Sequence, residues 1–133
     1  MTYSPDQCDV SVVLPVYNEK GHLRAEIDRV RAALTASRFS FEIIVVDDGS
    51  SDGSEKELPT IPGITLIRHR QNQGSGSARR TGTTAARGRI VVWTDVDMTY
   101  PNDLIPELVE AMDGYDHIVG WRQSEEGTMK FLR

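Results

Sequence analysis

Carboxylates recur in this sequence where runs of β-branched residues have just ended. One group is Asp47-Asp48-Gly49-Ser50-Ser51-Asp52, directly after IIVV, and the other is Asp95-Val96-Asp97, directly after IVVWT. If extended geometry continues through Asp97, alternation puts Asp95 and Asp97 on the same side of the chain. Two oxygen donors so placed suit Mg2+ or Mn2+, which take one or two carboxylates and complete their shell from a substrate's phosphates. In the first group, a turn into a helix capped by Ser51 or Asp52, with Glu55 as capping-box partner, accounts for the later residues. It gives Asp47 and Asp48 no structural reason to stand at the rim of an apolar run, so a ligand is the better account of both.

Three further segments carry polar chemistry. Pro15-Val16-Tyr17-Asn18-Glu19 offers a ring and two hydrogen-bonding side chains suited to a planar base, although Asn18 capping the next helix and Glu19 favouring its dipole is the plainer reading. Asn72-Gln73-Gly74-Ser75-Gly76-Ser77-Ala78-Arg79 is a small-residue loop opening a helix, where backbone amides can approach an anion closely. It nearly matches a dinucleotide fingerprint with Asp95 as the acidic residue, but Arg79 stands where that motif needs a small residue for close packing. Gly120-Trp121-Arg122 supplies an arginine able to reach a phosphate. His22, His69 and His117 have no metal-ligand spacing and read as surface or packing residues.

These segments need a scaffold that brings their ends together. Residues 10–16 (VSVVLPV) and 43–46 (IIVV) are too continuously apolar for a sheet with one wet face and read as buried parallel strands, and 64–69 (ITLIRH), 89–95 (RIVVWTD) and 117–120 (HIVG) read as three further strands. Leu23, Ile27, Val30 and Leu34 recur at helical spacing, residues 75–86 form a Gly/Ala/Thr-rich helix, and Leu104, Ile105, Leu108, Val109 and Met112 mark another helix after Pro101. Strand and helix alternation predicts an α/β fold: an open, mostly parallel, doubly wound sheet with helices on both faces. Ligands of such sheets sit beyond the carboxyl ends of the strands, so the residues that matter should follow Val16, Val46, His69, Thr94 and Val119.

At 133 residues the chain has room for one domain and one core. Fifteen Lys plus Arg against twenty Asp plus Glu leave a net charge of -5, the wrong sign for a duplex-binding domain, so nucleic acid is not an expected partner. An acidic protein that handles an anion must bring positive charge locally, through a metal, a few arginines or helix N-termini. Cys8 is the only cysteine, which excludes an internal disulfide and points to a reducing compartment. The apolar runs are too short to span a bilayer, so a cytoplasmic location is expected.

Taken in order, SVVLPVYNE, IIVVDDGSSD, NQGSGSAR and IVVWTDVDMTYP resemble glycosyltransferase family 2, whose fold is the nucleotide-diphospho-sugar transferase type. The closing GWR is similar to the GSR of the polyprenyl-phosphate members, including dolichol-phosphate mannose synthases. The resemblance implies an inverting hexosyltransferase that takes GDP-mannose or UDP-glucose as donor and a polyprenyl phosphate or other acceptor, with a divalent metal. It implies that Pro15, Tyr17, Asn18, Glu19, Asp47 and Asp48 hold base and ribose, with Gly74, Ala78 and Arg79 lining the same pocket. Asp95 would support the ribose or sugar and share the metal with Asp97, while Arg122 would steady the departing diphosphate; Asp97 and Arg122 are thus the expected catalytic pair. Thr99 and Trp121 depart from the Gln and Ser usual in the polyprenyl-phosphate members.

The same resemblance implies a flexible N-terminus at residues 1–8, a nucleotide-sugar-binding domain at 9–122, and at 123–133 the start of an acceptor region continuing beyond this sequence. Membrane association is then expected of the full-length protein. Two other readings remain open on the residues alone: a non-catalytic nucleotide-binding scaffold, and a sugar nucleotidyltransferase. The latter usually carries a Gly-rich basic loop where this chain has PVYNE.

Overall fold

The computed structural model describes residues 7–97, 99–122 and 129–132. Four strands, β1 (Cys8–Val16), β2 (Phe41–Asp47), β3 (Thr65–Arg68) and β4 (Gly88–Trp93), form one sheet in the order β3-β2-β1-β4. All three pairings are parallel, in registers that include Val16 against Asp47, Asp47 against Arg68 and Val13 against Trp93. The chain therefore winds outward from β1 to β3 and returns to the other side of β1 with β4. The strand order reverses between β1 and β4, and the crevice beyond the carboxyl ends of these two strands is the expected ligand site of such a sheet.

Alternation along β1 and β2 sorts their apolar residues onto two faces. Val10, Val12, Leu14, Val16, Ile43 and Val45 pack with Leu23, Ile27, Val30 and Leu34 of α1 (Leu23–Thr35) and with Ile105 and Val109 of α4 (Ile105–Ala111). On the opposite face Ile44 and Val46 meet Ala78 of α3 (Ser75–Ala85). Both faces are covered, which is why VSVVLPV and IIVV carry no polar alternation. Gly82 lets α3 lie close to the sheet: a Cβ there would come within 2.3 Å of Val13 Cγ1.

The short helix α2 (Ser54–Glu57) starts after Gly53. Its N-cap is Gly53, not Ser51 or Asp52; Asp52 Oδ1, from just before the helix, accepts from Ser54 N (2.9 Å) and Glu55 Oε2 accepts from Gly53 N (3.0 Å). After Pro101 the chain makes a 3-10 turn, Asn102–Leu104, before α4. Among the described residues no helix is long and apolar enough to cross a membrane.

Two expectations change. The fifth strand does not join the parallel sheet: β5 (Val119–Arg122) pairs antiparallel with β6 (Met129–Leu132) in a separate two-stranded sheet. Strands separated by six residues can pair antiparallel directly, and β5 takes this nearest partner. At the other end β1 begins at Cys8, inside the span expected to be flexible, because Cys8 lies in register with Gly88. Residues 1–6 of that span, and residues 123–128 and 133 of the expected acceptor segment, lie outside the described residues.

Candidate functional site

The crevice between β1 and β4 holds a cavity of about 330 Å3 lined by residues from four loops. Pro15, Tyr17 and Glu19 come from the end of β1, Asp48 from the end of β2, Asn72, Gly74 and Ser75 from the loop opening α3, and Asp95 and Asp97 from the end of β4. Pro15, Tyr17, Glu19, Asp48, Gly74, Asp95 and Asp97, seven of the site residues that the resemblance implies, thus line one cleft. Asn18, Asp47, Ala78 and Arg79, expected in the same pocket, do not line it.

Asn18 does not cap α1, whose first residue is Leu23. It adopts φ 51° and cross-links two loops, donating its amide to Ser50 Oγ (3.0 Å) while its Oδ1 accepts from Ser51 N (2.9 Å). Asp47 is buried, its Oδ1 accepting from Ser50 N (3.0 Å) and its Oδ2 lying 3.7 Å from the Arg68 guanidinium. Asp47 therefore shapes the turn from behind, because strand alternation sends it and Asp48 in opposite directions. Ala78 is fully buried against the sheet.

Asp48 organises the loop across the cleft. Its Oδ1 accepts from Gln73 N and its Oδ2 from Gly74 N, both at 2.9 Å, and His69 Nδ1 lies 2.8 Å from Oδ1. Burial works to raise the carboxyl's pKa, but these hydrogen bonds outweigh it and hold the group below the usual carboxylate range. The two loops also touch backbone to backbone. Gly49, at φ 82°, is so close to the next loop that a Cβ would sit 2.8 Å from Asn72 N.

Asp95 and Asp97 differ in surroundings. Asp95 is half-buried and lies 3.6 Å from Arg79, whose guanidinium also stands 6.0 Å from the centroid of the Trp93 ring. Burial pushes the Asp95 carboxyl up, Arg79 opposes it, and the nearby charge of Asp97 adds to the rise. Asp97 is exposed, its Oδ1 accepting from the amide (3.1 Å) and hydroxyl of Thr99. Among the described residues no three or more His, Cys, Asp or Glu groups gather in the manner of a closed metal site. A cation that brings phosphate and water ligands with it needs no more than the two carboxylates facing this cleft, so the donor set fits Mg2+ or Mn2+. The Arg122 side chain lies outside the described residues.

Sequence reasoning missed two groups. His69, read as a packing residue, is buried between Asp48 and Thr81, with Nε2 2.8 Å from Thr81 Oγ1. Its place at the end of β3, where chemistry was expected, was the available signal. Glu26, Thr94 and Asn102 form a buried polar group beneath the 95–97 turn. Glu26 occupies a polar-looking helix position, and no motif pointed to it.

Comparison with known proteins gives this arrangement a family. The chain is 38% identical over 123 residues to the undecaprenyl-phosphate 4-deoxy-4-formamido-L-arabinose transferase of Aeromonas hydrophila, a match covering 88% of this chain and 38% of that protein. The transferase of the same name from Yersinia pestis is 41% identical over 117 residues, covering 84% and 36%. The chain thus spans well under half the length of these relatives. Among solved structures, glucosyl-3-phosphoglycerate synthase from Mycobacterium tuberculosis in complex with UDP superposes with a TM-score of 0.69 at 28% identity, covering 88% of this chain and 46% of that one. A mannosyltransferase from Pyrobaculum calidifontis in complex with GDP-Man and Mn2+ gives a TM-score of 0.59 at 27% identity, covering 83% and 34%. The sequence model of glycosyl transferase family 2 matches residues 11–132, and with nearly the whole chain so matched, this protein belongs to glycosyl transferase family 2.

Proposed function

We propose that this chain is the donor-binding part of an inverting, metal-dependent glycosyltransferase that passes a sugar from a nucleoside diphosphate to a polyprenyl phosphate. The observation that carries the reading is that Asp95 and Asp97 share one cleft with Tyr17, Glu19 and the Gly74 loop, at the point where the strand order reverses. Tyr17, half-exposed at the cleft wall, offers a ring face to a base, and Glu19 offers acceptors for its edge or for ribose hydroxyls. Asn18, Asp47 and Asp48 keep the walls at their spacing. Asp95 and Asp97 would hold the cation, which supplies positive charge to the diphosphate as it leaves.

Little further chemistry is required of a donor-binding part. A lipid phosphate acceptor is already ionised near neutral pH, so no general base is needed to activate it. The transferases from Aeromonas and Yersinia, named for undecaprenyl phosphate, support this acceptor class. The complexes with UDP and with GDP-Man and Mn2+ support a nucleotide-sugar donor and a divalent cation. Cytoplasmic placement beside a membrane follows from such an acceptor. The test is calorimetric titration with UDP-glucose and with GDP-mannose, each with and without Mn2+. Metal-enhanced binding of either is expected; binding of neither would leave a scaffold domain as the better account.

A further inference from the structure

The 95–97 turn leaves β4 and returns to the 3-10 turn at Asn102, and a single amide closes the base of this loop. Asn102 is 1% exposed, and its Nδ2 donates to Glu26 Oε2 (2.8 Å) and to the backbone oxygen of Asp95 (3.1 Å). Its Oδ1 accepts from Thr94 Oγ1 (2.6 Å). Both amide hydrogens and one oxygen lone pair are therefore used, and acceptors on the Nδ2 side fix which way the amide points. Glu26, on α1 and 2% exposed, is held in place by that bond and by Arg29 Nη1, which donates to its Oε1 at 3.4 Å. Val96, 1% exposed, is anchored in the main core between the two carboxylates.

We propose that Asn102, locked by Glu26 and Thr94, is a positioning residue that fixes the 95–97 turn so that Asp95 and Asp97 meet a divalent cation and the diphosphate it carries. The inference rests on the transferase reading and adds to it a buried support reaching from α1 to the cation site. None of the three side chains lines the donor cleft. Their effect passes through the Asp95 carbonyl, whose place sets the direction of the Asp95 side chain and the start of the turn that carries Asp97. Groups that orient metal ligands in this way govern metal affinity strongly, although they never touch the ion. An aspartate could not replace Asn102, since it would face the Glu26 carboxylate and could not donate to the Asp95 carbonyl.

The test compares the whole chain with Asn102→Ala and with Thr94→Val, a near-isosteric change that removes one bond of the group. UDP and GDP are titrated with and without Mn2+, and melting temperature is followed in parallel. For Asn102→Ala the ratio of metal-free to Mn2+-supported dissociation constant should fall about tenfold, with metal-free affinity unchanged. A merely structural role would lower the melting temperature and leave the ratio intact, which overturns the proposal. If Asn102→Ala does not fold, Thr94→Val decides alone: a reduced ratio supports the proposal and an unchanged ratio rejects it. Absence of any Mn2+ effect in the unaltered chain would instead reject the metal-dependent transferase reading, and the positioning role with it.

Discussion

Nδ1 of His69 lies 2.8 Å from the Asp48 carboxylate, while the other ring nitrogen lies 2.8 Å from the Thr81 hydroxyl, so one imidazole ties the end of β2 to helix α3 beneath the donor cleft. An ionised carboxylate only accepts, so His69 donates to it from Nδ1. The Gln73 and Gly74 amides complete the set around Asp48. The cleft wall formed by Gly74 and Ser75 is thereby fastened to the sheet through Asp48.

Replacing Asp48 with Asn would turn an amide N–H toward donors that now meet a carboxylate. The loss should cost about 3 kcal/mol of stability, the upper range for hydrogen bonds to a charged group, because the amide keeps only one acceptor oxygen and at least one of the three donors, two on Oδ1 and one on Oδ2, loses its partner at a buried site. Urea denaturation of Asp48→Asn measures it, and a change below about 1 kcal/mol, the size of one ordinary hydrogen bond, would show that the wall does not depend on this carboxylate.

The same group sets an acid limit. A carboxyl whose pKa is lower in the folded than in the unfolded chain contributes stability that is complete above the unfolded value and is lost as pH falls toward the folded one. For Asp48 the ordinary value is 3.8 and the folded value lies below it, so its contribution should disappear as pH drops below about 4. Urea midpoints measured across that window should fall more steeply for the unaltered chain than for Asp48→Asn.

Asp97 should behave in the opposite way. It is exposed and bonded only to Thr99 among the described hydrogen bonds, so Asp97→Asn should change stability by less than about 0.5 kcal/mol. The Mn2+-dependent part of sugar-nucleotide binding should nevertheless be lost. Calorimetry with and without metal tests this, and retained metal dependence would remove Asp97 from the cation site.

Helix α3 depends on a missing side chain. In an exposed helix Gly→Ala would stabilise, but at Gly82 the added methyl would collide with Val13, and overpacking of this kind costs about 1–3 kcal/mol. Val13→Ala should relieve the collision, so the double variant should be more stable than the sum of the single changes allows. A double-mutant cycle by thermal denaturation reads this coupling directly.

The layers were legible because their signals are local. The continuous runs in β1 and β2 and the stripe Leu23, Ile27, Val30 and Leu34 each reflect burial of one element against its immediate neighbours, and periodicity records that. The strand-end position of Asp48, Gly74, Asp95 and Asp97 followed from the same pattern, and one cleft receives them all. The separate pairing of β5 was not legible, since a short apolar run fits a parallel or an antiparallel partner equally well.

By itself the sequence determined the alternation of strands and helices, the burial of both sheet faces and the gathering of carboxylates at the strand ends. Tertiary structure alone decided which of two adjacent aspartates faces the cleft, that Asn18 joins loops instead of capping a helix, and that His69 and Asn102 hold polar segments in place. The physical reason is that hydrogen-bonding partners such as Asp48 with His69, or Glu26 with Asn102, lie 21 and 76 residues apart along the chain. No local period encodes such a pairing; it exists only once the strands have been laid side by side.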